Sequence, residues 1–292
     1  MDAQQAGDGG GAEFGRVATA LRARMLDGTY PPQTLLPSQR ALAEEFEVSR
    51  DTVQRVFREL ASEGWIKGEQ GRGTRVIKTQ LIQPAEPRAT GPRSGATLGD
   101  VIRQAFERSE VTLDVYTLTT ESLDAHIRLQ AERIHAREIA PERISLRLLL
   151  PDLTGPLPYP RAIGNPGDPR PQERLRDISQ QHTESLRSVL QALKTEKLVP
   201  DVKVETRRVD LIPAFKLYLL NGVEALHGMY NVMTRSIEVP PGEVIKCRDV
   251  LGLGATLIHF VRDADPKSPG SVFVDSMEAW FQSAWDLLAR PE

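Results

Sequence analysis

Residues 36–74, LPSQRALAEEFEVSRDTVQRVFRELASEGWIKGEQGRGT, set the tightest limits on how this chain can fold. Val53, Val56, Phe57 and Leu60 fall at i, i+3, i+4 and i+7, so one stripe of a helix is apolar and must face a core. Asp51, Gln54, Arg55 and Arg58 are left on the opposite side. Ser49 stands just before the first turn, where its hydroxyl can accept an orphan backbone N–H, and Gly64 follows the last turn as a stop. Upstream, Pro37-Ser38 opens a second helix whose Ala41, Leu42 and Phe46 give a matching apolar face. Only a few residues around Glu47-Val48 separate the two helices, the spacing of a helix-turn-helix. Downstream, residues 65–67 and 74–77 read as short strands around Glu69-Gln70-Gly71-Arg72-Gly73, whose glycines permit a tight reversal and close approach of backbone to another surface. A basic residue at such a tip suits a phosphate or a narrow minor groove. Singly, each piece has a plain structural role: a packed helix, a turn, an i,i+4 ion pair of Asp51 with Arg55. Their order points instead to a surface that enters a DNA groove.

The same order resembles the winged helix-turn-helix of the GntR family of bacterial transcription regulators. The matching residues are Gly28-Thr29-Tyr30-Pro31, Leu36-Pro37-Ser38-Gln39-Arg40, Leu42-Ala43, Val48-Ser49-Arg50, Thr52-Val53, Leu60, Glu63-Gly64-Trp65-Ile66 and Gly71-Arg72-Gly73-Thr74. The resemblance implies that Arg40 and Arg50 contact DNA, that Ser49 and Thr52 help hold phosphates at the helix start, and that the Gly71 to Gly73 tip lies in the minor groove. With the polar side of the second helix added, the expected DNA-binding set is Ser38, Gln39, Arg40, Ser49, Arg50, Asp51, Thr52, Gln54, Arg55, Arg58, Gly71, Arg72, Gly73 and Thr74. Two positions depart from the family pattern. Gln54 stands where arginine is usual, and because glutamine can pair with an adenine edge an altered operator is expected rather than lost binding. Phe57 replaces a small residue on the apolar side, where it reads as a changed core contact.

A net charge of −3 over the whole chain does not oppose nucleic-acid binding, since basic groups act by clustering rather than by total. The module itself is nearly balanced in charge, so one copy should bind modestly and with strong salt dependence. That favours a homodimer reading a double-stranded operator at two half-sites about 34 Å apart.

With 292 residues and 40% hydrophobic content the chain can bury two cores, and no apolar run is long enough to span a bilayer. The first residues lack the basic start and hydrophobic stretch of a signal peptide, and the single Cys247 cannot form an internal disulfide, so a cytoplasmic protein is expected. Residues 1–12 read as a disordered lead, 13–79 as the winged helix-turn-helix, 80–97 as a Pro- and Gly-rich linker, and 98–292 as an effector-binding and dimerisation domain. In that last part, a strand at 111–118, a helix at 121–139 and a strand at 144–150 form a βαβ unit, hence a parallel pair covered by a helix. A helix is expected at 173–198 and strands at 202–209, 215–220, 228–233, 236–239 and 255–261. A closing helix at 274–288 carries Met277, Trp280, Phe281, Ala284 and Leu288 on one face, with Trp285 beside them; a buried core outweighs a dimer interface there. The expected fold class is therefore two-domain α+β/α/β, a winged helix-turn-helix followed by an α/β domain with a mixed sheet flanked by helices.

The layout of this second domain resembles a phospholipase-D-like fold slightly more than a chorismate-lyase-like ligand-binding domain. Phospholipase-D-type catalysis needs a His-x-Lys pair, and His227-Gly228-Met229 and His259-Phe260-Val261 supply no lysine. His126 and His135 lie nine residues apart on one helix, on opposite faces, so they cannot share a metal. Gly252-Leu253-Gly254 is too short for a nucleotide fingerprint, and Cys247 between Lys246 and Arg248 reads as a small packed residue. No catalytic, cofactor-binding or metal residue is assigned. Residues 154–171, with six prolines and Arg161 and Arg170, form a long connection that reads as a solvated insertion before a ligand lid. Arg147, Arg207 and Arg208 can meet an anionic ligand if strand alternation turns them inward, although a solvated face is their commoner place. The leading expectation is a dimeric transcription regulator whose second domain answers to a small-molecule effector or another protein. The alternative is a phosphodiesterase-like enzyme with an appended DNA-binding module.

Overall fold

A computed structural model describes residues 9–26, 29–31, 34–62, 65–69, 73–76, 82–85, 97–239, 243–250 and 256–292. In chain order the elements are α1 (Gly9–Leu26), α2 (Gln39–Phe46), α3 (Arg50–Ser62), β1 (Ile66–Glu69), β2 (Gly73–Val76), β3 (Ile82–Pro84), α4 (Leu98–Ala105), β4 (Glu110–Tyr116), α5 (Glu121–His135), β5 (Arg143–Pro151), β6 (Arg161–Ala162), α6 (Arg170–Thr195), β7 (Asp201–Val209), β8 (Phe215–Leu220), β9 (Glu224–Met229), β10 (Val232–Val239), β11 (Glu243–Val250), β12 (Leu257–Val261), α7 (Pro269–Leu287) and β13 (Arg290–Pro291). A winged helix-turn-helix thus precedes a domain built on a mixed sheet with flanking helices.

The apolar stripe of α3 closes the first core. Val53, Val56, Phe57 and Leu60 are buried against Val17, Leu21 and Met25 of α1 and Leu42 and Phe46 of α2, with Trp65, Ile66 and Val76 of the wing sealing the edge. Phe57 is therefore a core contact, as its place on the apolar side requires. Glu47 ends α2 in the left-handed region (φ 53°), and the N–H of Val48 donates to the carbonyl of Ala43 at 3.0 Å, which turns the chain sharply into α3. The wing strands β1 and β2 pair antiparallel, Ile66 opposite Val76.

The second domain carries an eight-stranded sheet in the order β13-β7-β5-β4-β8-β9-β12-β3. Strands β7, β5 and β4 run parallel because α5 and α6 return the chain between them, while β8, β9 and β12 form antiparallel neighbours. Strand alternation splits the apolar residues between two faces. Tyr218 and Leu220 of β8 join the core under α4, α5 and α6, whereas Leu217 and Leu219 join Val274, Phe281 and Trp285 of α7 on the other side. Trp280, Phe281 and Trp285 are core residues of this layer, and Trp280 stacks edge-on against Tyr116. A smaller sheet, β10-β11-β6, stands beside α6 and α3.

Several segments differ from expectation. The first helix starts at Gly9, inside the stretch read as a lead, because once a helix is nucleated each further residue adds a hydrogen bond at little cost. Within the expected linker, β3 pairs parallel with β12, Ile82 opposite Leu257, and buries Ile82; Pro84 is tolerated because β3 is the edge of the sheet. The short helix α4 was not expected at all, although Thr97 and Asp100 close a capping box around its first turn. The strand expected at 228–233 is the end of β9, a turn and the start of β10, and β10 runs on without a break to Val239. Strand β11 had no counterpart in the sequence reading.

Candidate nucleic-acid interface

Ser38 and Ser49 fix the two helices of the candidate reading head. The Ser38 hydroxyl accepts the N–H of Ala41 at 3.2 Å, and the Ser49 hydroxyl accepts the N–H of Thr52 at 3.0 Å, so each helix begins with a satisfied backbone donor. At 100° per residue, α3 divides into three flanks. The core flank is the apolar stripe already described. The open flank carries Arg50, Gln54 and Arg58 at i, i+4 and i+8, all exposed, with Asp51 exposed beside them. The closed flank carries Arg55 and Glu59, both tied to the second domain.

The structure sorts the expected DNA-binding residues accordingly. Ser38, Arg40, Ser49, Arg50, Asp51, Gln54, Arg58 and Gly73 are exposed, and Gln39 and Thr74 are half-buried. Arg40 pairs with Glu44 one turn on, at 3.0 Å, on open surface. Gly73 has φ +105°, a conformation that needs glycine at the base of the wing turn. Gly71 and Arg72 lie outside the described residues. Two expectations change. Thr52 is buried, its hydroxyl 2.9 Å from that of Ser49, because its position turns it under the first turn of α3 rather than outward. Arg55 does not pair with Asp51 but donates from Nε to Glu238 of β10 at 2.9 Å, since α3 packs on that strand.

Glu59 is buried one turn further along the closed flank. It bonds the guanidinium of Arg174 on α6 and lies 3.9 Å from Arg22 of α1, whose Nε is 3.1 Å from Glu121 at the start of α5. Helix α3, helix α1 and the sheet domain thus meet through one chain of alternating charges. Sequence reading missed these pairs because their members lie 37 to 183 residues apart, and only the apolar wheel of α3, which leaves Glu59 near its margin, hinted at a buried acid.

Behind this junction is a cavity of about 70 Å³ lined by Thr117, Leu118, Thr119, Glu121, Ser122, Pro160, Arg174, Leu175, Ile178, Lys216, Tyr230, Arg235, Ile237, Asp249 and Val250. Tyr230 is fixed there: its hydroxyl accepts the N–H of Leu118 and lies 3.0 Å from the Thr117 hydroxyl. Arg235 holds Asp249 through Nε and Nη2 at 2.7 and 2.6 Å. Burial pulls Lys216 down to about 7, partly opposed by Glu121. Burial, with Arg235 and Arg22 as like-charged neighbours, pulls Arg174 down to about 10. The proline-rich segment 154–171 is packed beside this cavity and not merely solvated: Leu157 and Tyr159 are buried against Leu175 and Tyr230. The arginines singled out from the sequence lie elsewhere. Arg147 pairs with Asp114 and Arg208 with Glu292, while Arg207 lies over the Trp285 ring.

Other titratable groups among the described residues bond or pack as follows. His259 bonds Glu224 at 2.7 Å, and His227 lies among the rings of Phe215 and Phe273. Asp124 receives His182, Ser185 and Arg128, each of which bonds the carboxylate. Cys247 is buried, and burial together with Asp249 pushes its thiol up to about 11, the opposite of activation. Among the described residues there is no group of three or more potential metal ligands, and no helix is long and apolar enough to cross a membrane.

Comparison with known proteins places the head. Residues 14–76 match the family model for bacterial regulatory proteins of the gntR family. Over 113 residues, 37% of this chain, the sequence is 35% identical to the uncharacterized HTH-type transcriptional regulator YisV of Bacillus subtilis, of which the match covers 23%. Over 50 residues, 17% of this chain, it is 42% identical to the fatty acid metabolism regulator protein of Shewanella baltica, of which it covers 21%. The chain therefore spans less than a quarter of the length of either relative. A crystal structure of mutant ORR3 in complex with the NTD of AraR aligns with a TM-score of 0.22 at 28% identity, over 22% of this chain and 93% of that one. The N-terminal region of the chain is a GntR-family helix-turn-helix domain.

Proposed function

Proceeding from a GntR-family reading head joined to a mixed-sheet domain, we propose that the chain is a sequence-specific DNA-binding transcription regulator whose operator affinity is set by the second domain. The observation that carries this reading is the open flank of α3: Arg50, Gln54 and Arg58 form an exposed polar stripe on a helix whose start is capped and whose opposite face is core. Such a helix fits a major groove with its first turns against base edges. In this reading Arg50 and Gln54 read bases, Arg40, Ser49 and Arg58 meet phosphates, and Gly73 and Thr74 carry a wing whose tip residues Gly71 and Arg72 enter the minor groove. Ser38 and Gln39 approach the backbone from the start of α2, and Asp51 screens the choice of base beside Arg50. Two copies binding as a homodimer supply two such heads.

The link to the second domain is the closed flank. Arg174 and Glu238 hold Glu59 and Arg55 of the same helix that offers Arg50 and Gln54 to DNA. Any change that moves α6 or β10 is thereby felt by the reading helix, and a shift of a few kcal/mol is enough to change operator occupancy. Selecting DNA fragments retained by the purified chain and measuring their affinity by gel shift tests the reading. Recovery of a two-fold symmetric site, bound with an affinity that falls steeply with salt, is expected. Failure to retain any duplex at low ionic strength, from a folded preparation, would remove the proposal.

A further inference from the structure

The cavity behind Arg174 has a chemistry of its own. Four cations converge on it and its rim, Arg22, Arg174, Lys216 and Arg235, against three carboxylates, Glu59, Glu121 and Asp249. Asp249 is paired with Arg235, Glu59 with Arg174 and Glu121 with Arg22, and Glu121 also acts on Lys216. Nη1 of Arg235 is buried and meets no hydrogen-bond partner among the described residues, although Arg235 lines the cavity. A guanidinium nitrogen left without an acceptor is a costly arrangement, and a small rotation of Arg235 toward the cavity would let an anion there satisfy it. Leu175, Ile178 and Ile237 supply an apolar part of the wall, and Thr117, Thr119 and Ser122 a polar part. Oriented charges beside an apolar patch are what a receptor site for a small amphipathic molecule requires.

We propose that this cavity binds a small organic acid, its acidic head taken between Lys216 and Arg235 and its apolar body against Leu175, Ile178 and Ile237. Arg174 lines the same cavity and holds Glu59 on α3, so the bound anion competes with Glu59 for Arg174 and weakens one tie between the reading helix and the sheet domain. This second part rests on the regulator reading; the binding part does not.

Titration calorimetry of the full chain with butanoate, butanamide and inorganic phosphate, in the absence of DNA, tests the site. Saturable binding of butanoate is expected, with butanamide and phosphate each weaker by about ten-fold or more, since one lacks the charge and the other the apolar body. Lys216→Met should weaken butanoate by about ten-fold without unfolding the chain, because it replaces a buried amine with an apolar side chain of similar length. The paired change Arg235→Met with Asp249→Asn, which leaves no lone buried charge, should have the same effect. Butanamide binding as well as butanoate, phosphate binding as well as butanoate, absence of butanoate binding, or wild-type affinity in both variants would each overturn the assignment. Gel shift on the selected operator, with and without butanoate, separates the two readings. A chain that binds butanoate but no DNA loses only the regulator reading, and one that binds DNA but no butanoate loses only the receptor site.

Discussion

The two polar flanks of α3 use the same kinds of side chain to opposite ends. Arg50, Gln54 and Arg58 face solvent, where an arginine retains its hydration and its ability to bond a second molecule. Arg55 and Glu59, on the same helix, are committed to Glu238 and Arg174. Position on the helix, not residue type, decides which arginine faces solvent and which serves as a tie. The difference in burial also decides what each is worth: exposed pairs contribute little to stability, whereas a buried charge that loses its partner is heavily destabilising.

The closed flank is broken most severely at Glu59. Glu59→Gln takes from the nearly buried Arg174 its bonded carboxylate while Arg22 and Arg235 remain as like-charged neighbours, and should cost about 3–5 kcal/mol of unfolding free energy. Urea denaturation of the full chain measures this. Replacing both partners, Glu59→Leu with Arg174→Met, should recover most of the loss, because the penalty belongs to the charge that loses Glu59. Equal losses in the single and paired variants would show that packing, and not charge, joins the two domains.

The open flank should respond in affinity and not in stability. Arg50→Ala is expected to cost about 1–3 kcal/mol in operator binding and to relax base choice at one operator position, while the unfolding free energy moves by less than about 0.5 kcal/mol. Gel shifts on operators varied one base at a time, set beside urea midpoints, check both halves. A loss spread evenly over all sequences would assign Arg50 to a phosphate instead.

The contrast between the flanks was half legible in the sequence. The apolar stripe, the Ser49 cap and the turn at Glu47-Val48 are local signals within one helix of each other, and the structure shows each of them. The βαβ unit was legible for the same reason, and β4 and β5 are indeed parallel. The closed flank and the cavity were not, because Arg174, Lys216 and Arg235 come from three elements that only the folded sheet brings together. Strand β11, EVIKCRDV, was missed because its inward positions include the charged Asp249 alongside Ile245 and Cys247, so the alternation did not read as apolar. Helix α4 was overlooked despite a Thr-x-x-Asp capping signal, since eight residues give too short a periodic run to stand alone.

A buried base without partners extends the same contrast to pH. His126 of α5 is buried against Gly99, and neither ring nitrogen has a hydrogen-bond partner among the described residues. Burial holds its pKa down at about 4, against 6.5 for the free side chain. The unfolded chain therefore binds the proton more readily, so His126 contributes stability in full above about pH 6.5, and that contribution is lost as pH falls from there toward about 4. The loss should be about 1 kcal/mol between roughly pH 6.5 and 5.5 and should be absent in His126→Leu, as read from urea midpoints across that range. A wild-type and variant pair with identical pH slopes would place the acid sensitivity elsewhere.

Arg55 is the residue on which the distinction between flanks is finest, and its expected stability effect is the smallest. The pair with Glu238 is partly exposed, so Arg55→Ala should cost no more than about 1 kcal/mol in unfolding free energy. Its effect on DNA depends on whether the tie persists in the complex. If Glu238 keeps Arg55 on the closed flank, Glu238→Gln releases a cation beside Arg58, and operator binding should tighten with a salt slope steeper by about 0.9, the contribution of one phosphate contact. If Arg55 instead leaves Glu238 whenever DNA binds, the wild-type slope already includes that contact. Glu238→Gln would then raise affinity without altering the slope, because it removes only the cost of breaking the pair. The slope of log affinity against log salt for wild type, Glu238→Gln and Arg55→Ala distinguishes a fixed tie from a switch, because only a fixed tie leaves Arg55→Ala with the wild-type slope.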